Sequence, residues 1–402
     1  QLGLAGGRPP AQGPCGGHVK VTEVQTFMVA LPWRRLHKMA FPGEVLGRYV
    51  IVRVRTDEGV EGLGEATVIK EWGGDHGRYF GEAPELTVRL IESVLGPALL
   101  GQDPFDLEAA HQKMDLAVKG YPYAKTALDE ALHDIKGKAL GVPVHQLLGG
   151  LVREEVPIAH SLGWLDYDEA TSEAAAAVAE GIRTIKIKVG RDKDYDVRVV
   201  REVRETIGPD RDIVVDANQG WPTPKYAIAI LRRMEEYGIR YAEQPVEGLA
   251  QMARVARAVD VPIMADESAW TPQDVLEIAE RGAADMISLY TTKPGGLFKA
   301  KKVAAVAEAA GLPLNVNGSH ETGVGNAGNL HLVASTAAVT EAGVFPVTSL
   351  REDPPTQMAG RMYLDDIVTR PFTYRDGCLI VPRSPGLGVE LDMDKVAEYR
   401  LR

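Results

Sequence analysis

The chain reads as an α/β protein: a (β/α) barrel of the modified TIM type with an N-terminal α+β capping domain. Three observations point there. After Gly149-Gly150, strand-like and helix-like runs alternate through seven or eight units. The strand-like runs are rich in Ile, Val and Met rather than alternating, as parallel strands buried on both faces are. Three acidic phrases also close successive strand runs: Val214-Val215-Asp216-Ala217-Asn218, Tyr241-Ala242-Glu243-Gln244-Pro245 and Ile263-Met264-Ala265-Asp266-Glu267. Their carboxylates step by 27 and then 23 residues, about one strand-plus-helix unit of a barrel with roughly 250 residues in eight units. An open doubly wound sheet is the competing architecture. No Gly-x-Gly-x-x-Gly fingerprint follows the first strand, which argues against a dinucleotide fold.

Along the chain, residues 1–18 are rich in Gly and Pro, lack a periodic apolar pattern, and read as a flexible extension. Residues 19–150 form the capping domain. Val19–Val24 and Tyr49–Arg55 alternate like strands, with a turn at Asp57-Glu58-Gly59-Val60. From Pro84 to Leu148 the spacing is helical; in Tyr123–Ile135, small and apolar residues recur every three or four positions. Residues 151–347 are the barrel. Its strand candidates are Pro157–His160, Thr184–Val189, Asp212–Asp216, Tyr241–Glu243, Pro262–Asp266, Met286–Tyr290 and Pro313–Asn317. Helices fall between them, including Glu169–Glu180, Arg198–Ile207, Lys225–Tyr237 and Ala300–Ala310. Thr223-Pro224 and Thr271-Pro272 each put a capping hydroxyl before a proline at the first helical position. Residues 348–402 lose this rhythm, carry a hairpin at Tyr374–Val381 and are expected to return to the capping domain.

The bulk numbers narrow the function. With 402 residues, the chain suits one large domain and a smaller one. No apolar run approaches the roughly 18 residues of a membrane helix. A net charge of −11 argues against a broad nucleic-acid surface. Two cysteines, Cys15 and Cys378, sit in no metal-ligand spacing and fit a reduced, cytoplasmic setting.

The acidic phrases carry the chemistry. Parallel barrel strands bring their C-terminal ends to one face, where three carboxylates would repel one another without a cation between them. Hard oxygen donors suit Mg²⁺, with Mn²⁺ as a substitute. Capping of the following helices explains any one of these acids but not three in register with a lysine pair. Lys186 and Lys188, two apart on a strand, face the same side. Inside a barrel, cations are costly unless a site uses them. A lysine beside a metal and a second ammonium is expected to have a lowered pKa, suiting it to general-base work. Such a set stabilises the enediolate formed when a proton leaves the carbon next to a carboxylate.

These phrases make the chain resemble the enolase superfamily, in the muconate-lactonizing branch of the mandelate racemase/muconate-lactonizing enzyme family. Ala124–Asp129, Leu147–Gly150, Lys293-Pro294-Gly295-Gly296 and Glu321–Gly325 add to the likeness, which runs from Val19 to the C-terminus. The resemblance implies that Asp216, Glu243 and Asp266 bind Mg²⁺, that Lys188 is the acid/base and that Lys186 neutralises the substrate carboxylate. It places Glu267 outside the metal's direct ligands, and Glu321 and Asn218 beside the site. Lys293 corresponds to a family lysine that is commonly non-catalytic and is counted among the substrate-binding candidates. Relatives with this architecture assemble as dimers to octamers, so a homo-oligomer is expected.

One departure stands out. Two-base members carry a second lysine five residues before the Gly-Gly pair, where this chain has Tyr290. A tyrosine is a poor base at neutral pH but a capable donor. One-base chemistry on the Lys188 face is therefore favoured: syn elimination of water, or protonation closing a cycloisomerisation. Epimerisation with Tyr290 or His320 serving the second face is the alternative, and a non-catalytic ligand-binding barrel is a further one. His320, at the end of the seventh strand, is also a candidate acid opposite Lys188, with a packing or hydrogen-bonding role as the alternative. Substrate selection falls to the loops Pro32–Gly47 and Thr67–Tyr79, with His37, Lys38, Phe41, Glu44, Glu71, Trp72 and His76. Their polar and aromatic mixture suggests a hydroxylated, cyclic or amino-acid-like small carboxylate.

Overall fold

The computed structural model describes residues 19–40, 47–74, 76–347 and 357–401. The extension 1–18 and the loop candidates Phe41 and Glu44 lie outside these residues. The N-terminal part is an antiparallel meander of β1 (Val21–Ala30), β2 (Arg48–Thr56) and β3 (Glu61–Ala66). The helix Pro122–Leu140 packs across it. The close fit depends on small residues from both sides. A Cβ on Gly64 would lie 1.9 Å from the Ala127 carbonyl oxygen, and one on Gly62 would lie 2.0 Å from that of Ala131. Gly64→Ala is therefore expected to destabilise the protein by about 3 kcal/mol through overpacking, read as a lower midpoint in urea unfolding. An unchanged midpoint would show that the helix can slide away at no cost.

That helix begins after Tyr121 at φ 55°, and Glu82 accepts its first amides from Tyr123 (2.9 Å) and Ala124 (3.2 Å). A carboxylate at this end satisfies orphan N–H groups and complements the helix dipole. A short hairpin follows the meander, β4 (Gly73–Gly74) with β5 (Tyr79–Phe80).

After β6 (Glu155–Pro157) comes the barrel. Its strands are β7 (Ala159–Leu162), β8 (Thr184–Lys188), β9 (Asp212–Asp216), β10 (Ile239–Glu243), β11 (Ile263–Ala265), β12 (Met286–Leu289) and β13 (Leu314–Val316). They are parallel neighbours in chain order. Among the described residues, no regular eighth strand joins β13 back to β7. Residues 338–344 fill that position: Leu314 donates to Ala338 O (3.0 Å), Thr340 to Leu314 O (2.9 Å), Ala159 to Gly343 O (2.8 Å) and Gly318 to Val344 O (3.0 Å). Parallel bridges Leu314–Val339 and Ile158–Gly343 complete the ring.

Helix starts follow the sequence signals. Thr223 Oγ1 accepts from Tyr226 N (3.2 Å), and Thr271 and Asp274 form a reciprocal capping box. Toward the C-terminus, β14 (Tyr374–Arg375) and β15 (Cys378–Ile380) form a hairpin that pairs with β6. Leu401 N donates to Met28 O of β1 (2.8 Å), and Trp33 bridges to Tyr363. One apolar core fills the barrel layers, and a second fills the meander and its helices; the second reaches Trp270 and Tyr290 at the barrel mouth. Among the described residues, no helix is long and apolar enough to cross a membrane.

Candidate active site

Strand register assembles the site. Lys188 lies opposite Asp216, Asp216 opposite Glu243, and Lys186 opposite Ser161. Both lysines point inward and are buried. Lys186 Nζ bridges Asp216 Oδ2 (2.9 Å) and Glu243 Oε1 (2.8 Å). Lys188 Nζ holds Asp216 Oδ2 and Asn218 Oδ1, each at 2.7 Å. Lys293 is buried beneath Asp266, donating to its Oδ1 (2.7 Å), its carbonyl (2.8 Å) and Ser288 O (2.6 Å). It does not line the cavity.

The cavity at this mouth is small, about 40 Å³. Lys186, Lys188, Asn218, Asp266, Tyr290 and His320 face it, as does Trp72 from the capping part. Sequence reasoning did not single out Ser161, Asn317, Ser319, Met39, Ile69 or Val344, which with Gly318 complete its wall. Asn317 and Ser319 lie in the same Asn-Gly-Ser-His phrase as His320, and Ser161 ends β7; the end of a barrel strand is the signal that marks them. Glu321 turns away to accept Ser319 N (2.8 Å). Of the other loop candidates, His37 hydrogen-bonds Ser161 (3.2 Å), Glu71 pairs with Lys70, His76 pairs with Glu247, and Lys38 lines a separate surface cavity.

Asn218 and Trp72 converge on one oxygen. Asn218 Nδ2 (2.9 Å) and Trp72 Nε1 (3.3 Å) both donate to Glu267 Oε1. Trp72 lies between Trp270 and Tyr290, with ring centroids 5.3 and 5.4 Å away. Tyr290 OH is 3.4 Å from Asp266 Oδ2, and its ring carries the Lys293 ammonium 4.6 Å from its centroid.

Burial and charge set the protonation states. Burial pulls Lys186 down, but Asp216 and Glu243 outweigh it and hold the ammonium well above the ordinary lysine value. Burial, then Asp216 and Asp266, push Glu243 up. Burial and the same acids raise Tyr290 well above 10, so it stays protonated. Burial and the two lysines lower His320 to about 3, leaving it neutral.

These buried groups predict an acid-labile fold. Burial raises Glu82, Glu321 and Asp366 to about 7, so the stability of their neutral forms is full below the ordinary carboxylate range and lost as pH rises to 7. Burial lowers His320 and His331 to about 3 and His37 well below 6.5, so their contribution is full above 6.5 and lost as pH falls. The two sets oppose each other between about pH 5 and 6.5, and Glu65, Glu130, Asp134 and Asp196, also raised by burial, add to the first. Below that only the histidines act, at ~1.4 kcal/mol per pH unit each. They are joined by Asp129 and Glu173, which their histidine and arginine partners hold low against burial. Melting temperature is expected to decline gently as pH rises from 5 to 7, because the raised carboxylates outnumber the lowered histidines, and to fall steeply below 4.5. A steepest loss above pH 8 would contradict this assignment.

The donor set suits a hard cation. Asp216, Glu243 and Asp266 offer only carboxylate oxygens, and Glu243 Oε2 is buried without a hydrogen-bond partner. Among the described residues, no three acidic, histidine or cysteine groups already converge as an ion cage; the ammoniums of Lys186 and Lys293 lie against the carboxylates.

A (β/α) barrel with a meander-and-helix cap, and acids and lysines at its mouth, defines an enolase-type architecture. The family model described as "Mandelate racemase / muconate lactonizing enzyme, N-terminal domain" matches residues 21–149, and "Enolase C-terminal domain-like" matches 169–395. The chain belongs to the mandelate racemase/muconate lactonizing enzyme family of the enolase superfamily, and it is an enzyme of that group. It is 35% identical over 388 residues to muconate cycloisomerase 1 of Rhodococcus opacus, covering 95% of this chain and 98% of that protein. It is 32% identical over 382 residues to the N-succinyl-L-Arg/Lys racemase of Bacillus cereus, covering 94% and 98%. The crystal structure of muconate lactonizing enzyme from Pseudomonas fluorescens complexed with muconolactone superposes with a TM-score of 0.86 at 32% identity, covering 96% of this chain and all of that one.

Proposed function

We propose that the protein is a Mg²⁺-dependent enzyme that removes or returns the proton α to the carboxylate of a small acid. Dehydration by syn elimination, or cycloisomerisation, is the favoured outcome. The observation that carries this reading is the lysine pair of β8, buried in the cavity and interlocked with Asp216, Glu243 and Asn218.

Asp216, Glu243 and Asp266 would hold the ion. Bound there, Mg²⁺ or Mn²⁺ supplies the positive charge that stabilises a substrate carboxylate as its charge grows. Lys186, kept cationic, neutralises the same carboxylate. Lys188 exchanges the proton, and Asn218 Oδ1 fixes the direction of its ammonium. Tyr290 stands where a second base would be. Kept protonated, it donates but cannot abstract, so one face alone is served. The related racemase and the "L-Ala-D/L-Glu epimerase" of Bacillus subtilis favour epimerisation as the second reading; His320, neutral and lining the same cavity, is its candidate donor.

The test is incubation with Mg²⁺ in deuterated water against acid-sugar, hydroxyproline-type, dipeptide and muconate-like carboxylates. Solvent deuterium entering the α position of the substrate without inversion is expected. Inverted product would select the epimerase reading. Carboxylates that bind yet never exchange would end the proposal.

A further inference from the structure

Three hydrogen bonds lead from the capping part to the acid/base lysine. Trp72 Nε1 donates to Glu267 Oε1 (3.3 Å), Asn218 Nδ2 donates to the same oxygen (2.9 Å), and Lys188 Nζ donates to Asn218 Oδ1 (2.7 Å). All four side chains are buried. The order of donors and acceptors is forced. An indole N–H and an ammonium only donate, so Glu267 Oε1 accepts, and the Asn218 amide must turn its oxygen to Lys188 and its nitrogen to Glu267. The backbone of Asn218 is pinned too: it sits at φ 42°, and its N–H donates to Asp216 Oδ1 (2.9 Å).

Lys188 has a second acceptor, Asp216 Oδ2, but Lys186 shares that oxygen and its carboxylate is assigned to the ion. Among the described residues, Asn218 Oδ1 receives Lys188 alone. The hairpin β4–β5 is seated on Glu267 itself. A Cβ on Gly74 would lie 2.6 Å from both the Cβ and the carbonyl oxygen of Glu267. Gly73 O accepts from Gln219 Nε2 (2.9 Å), one residue beyond Asn218. Trp72, stacked on Trp270, faces the cavity from the same loop.

We infer that Glu267 is a positioning residue: through Asn218 it aims the Lys188 Nζ, and through Trp72 it ties that aim to the seating of the cap. The loop that meets the substrate thus also sets the geometry of proton transfer. This rests on the proposed function above for the role of Lys188.

One readout needs no substrate. In the ¹⁵N-labelled full chain with Mg²⁺, the Asn218 side-chain amide is the pair of NMR signals lost in Asn218→Ala. That pair is expected to move upfield in Glu267→Leu, which removes its acceptor, and to return toward the parental position in Glu267→Gln, which keeps an acceptor oxygen. A pair unmoved by Glu267→Leu would overturn the inference whether or not any substrate is turned over. The other readout is kinetic, on a carboxylate whose α proton the parent exchanges. Glu267→Leu is expected to lower kcat by roughly 10–100-fold, the usual effect of losing a supporting partner, with KM unchanged. Glu267→Gln should keep most of the parental rate, and Trp72→Phe, which keeps the stacking and loses the N–H, should fall between. Because Glu267 acts through Asn218, adding Glu267→Leu to Asn218→Ala should cost nothing more. A loss carried by KM, additive losses, or a Glu267→Gln as slow as Glu267→Leu would overturn the inference. A parent that exchanges nothing while the amide pair responds would refute the catalytic proposal alone.

Discussion

Lys188→Ala is expected to lower solvent-deuterium exchange at the substrate's α carbon by about 10³-fold, within the range of a positioned acid–base group. The fold should survive the change, because Asp216 keeps its 2.9 Å contact with Lys186 and is not left as an unpaired buried charge. Circular dichroism and Mg²⁺ affinity then serve as controls. Lys186→Ala should behave differently, weakening carboxylate binding and leaving Glu243 and Asp216 in direct repulsion. If Lys188→Ala exchanges as fast as the parent, the proton is moved elsewhere. If neither protein exchanges anything it binds, the ligand-binding barrel is the better description.

The second large effect concerns stability. Asp129 is buried in the helix Pro122–Leu140 and reaches the helix Leu297–Ala309, accepting from Leu297 N (2.6 Å) and Phe298 N (3.4 Å). His111 Nε2 adds a third contact at 2.7 Å, and His133 flanks it. Gly296 makes room for it: a Cβ there would lie 2.3 Å from the Asp129 carboxyl carbon. Asp129→Ala strands His111 and two helix-start amides at the junction of cap and barrel, while His133 keeps its bond to the residue 129 carbonyl (2.9 Å). A loss of roughly 3–5 kcal/mol is expected, measured by chemical unfolding, with Asp129→Asn falling between the two. A loss below about 1 kcal/mol would show that the junction relaxes around the vacancy.

Much of the site was legible because strand ends print it. Asp216, Glu243 and Asp266 each close a run of apolar residues, and the i, i+2 spacing of Lys186 and Lys188 fixes a shared face. The Ala124–Asp129 phrase was legible as a pattern, but its cause appears only in three dimensions: Ala127 accommodates Gly64, while Asp129 caps a helix some 170 residues away. Other parts had no signal to read. Lys293 was expected to bind substrate, but it points under Asp266 because its strand has ended and the chain has turned. Ser161 and Met39 are ordinary residues made important by register and by a loop crossing the barrel mouth. The left-handed backbone of His320 leaves no mark on sequence at a non-glycine position.

The stretch 338–344 escaped notice for a related reason: it closes the ring without the β-rich run that announces a strand. Asn317 Oδ1 accepts Val344 N (2.9 Å), so a side chain substitutes there for part of a backbone ladder. Val344 also faces the cavity. The part of the wall beside His320 is thus the one least constrained by strand pairing. Substitutions at that seam can change which molecule fits while the lysines and carboxylates keep their places, so substrate choice and proton chemistry can diverge independently.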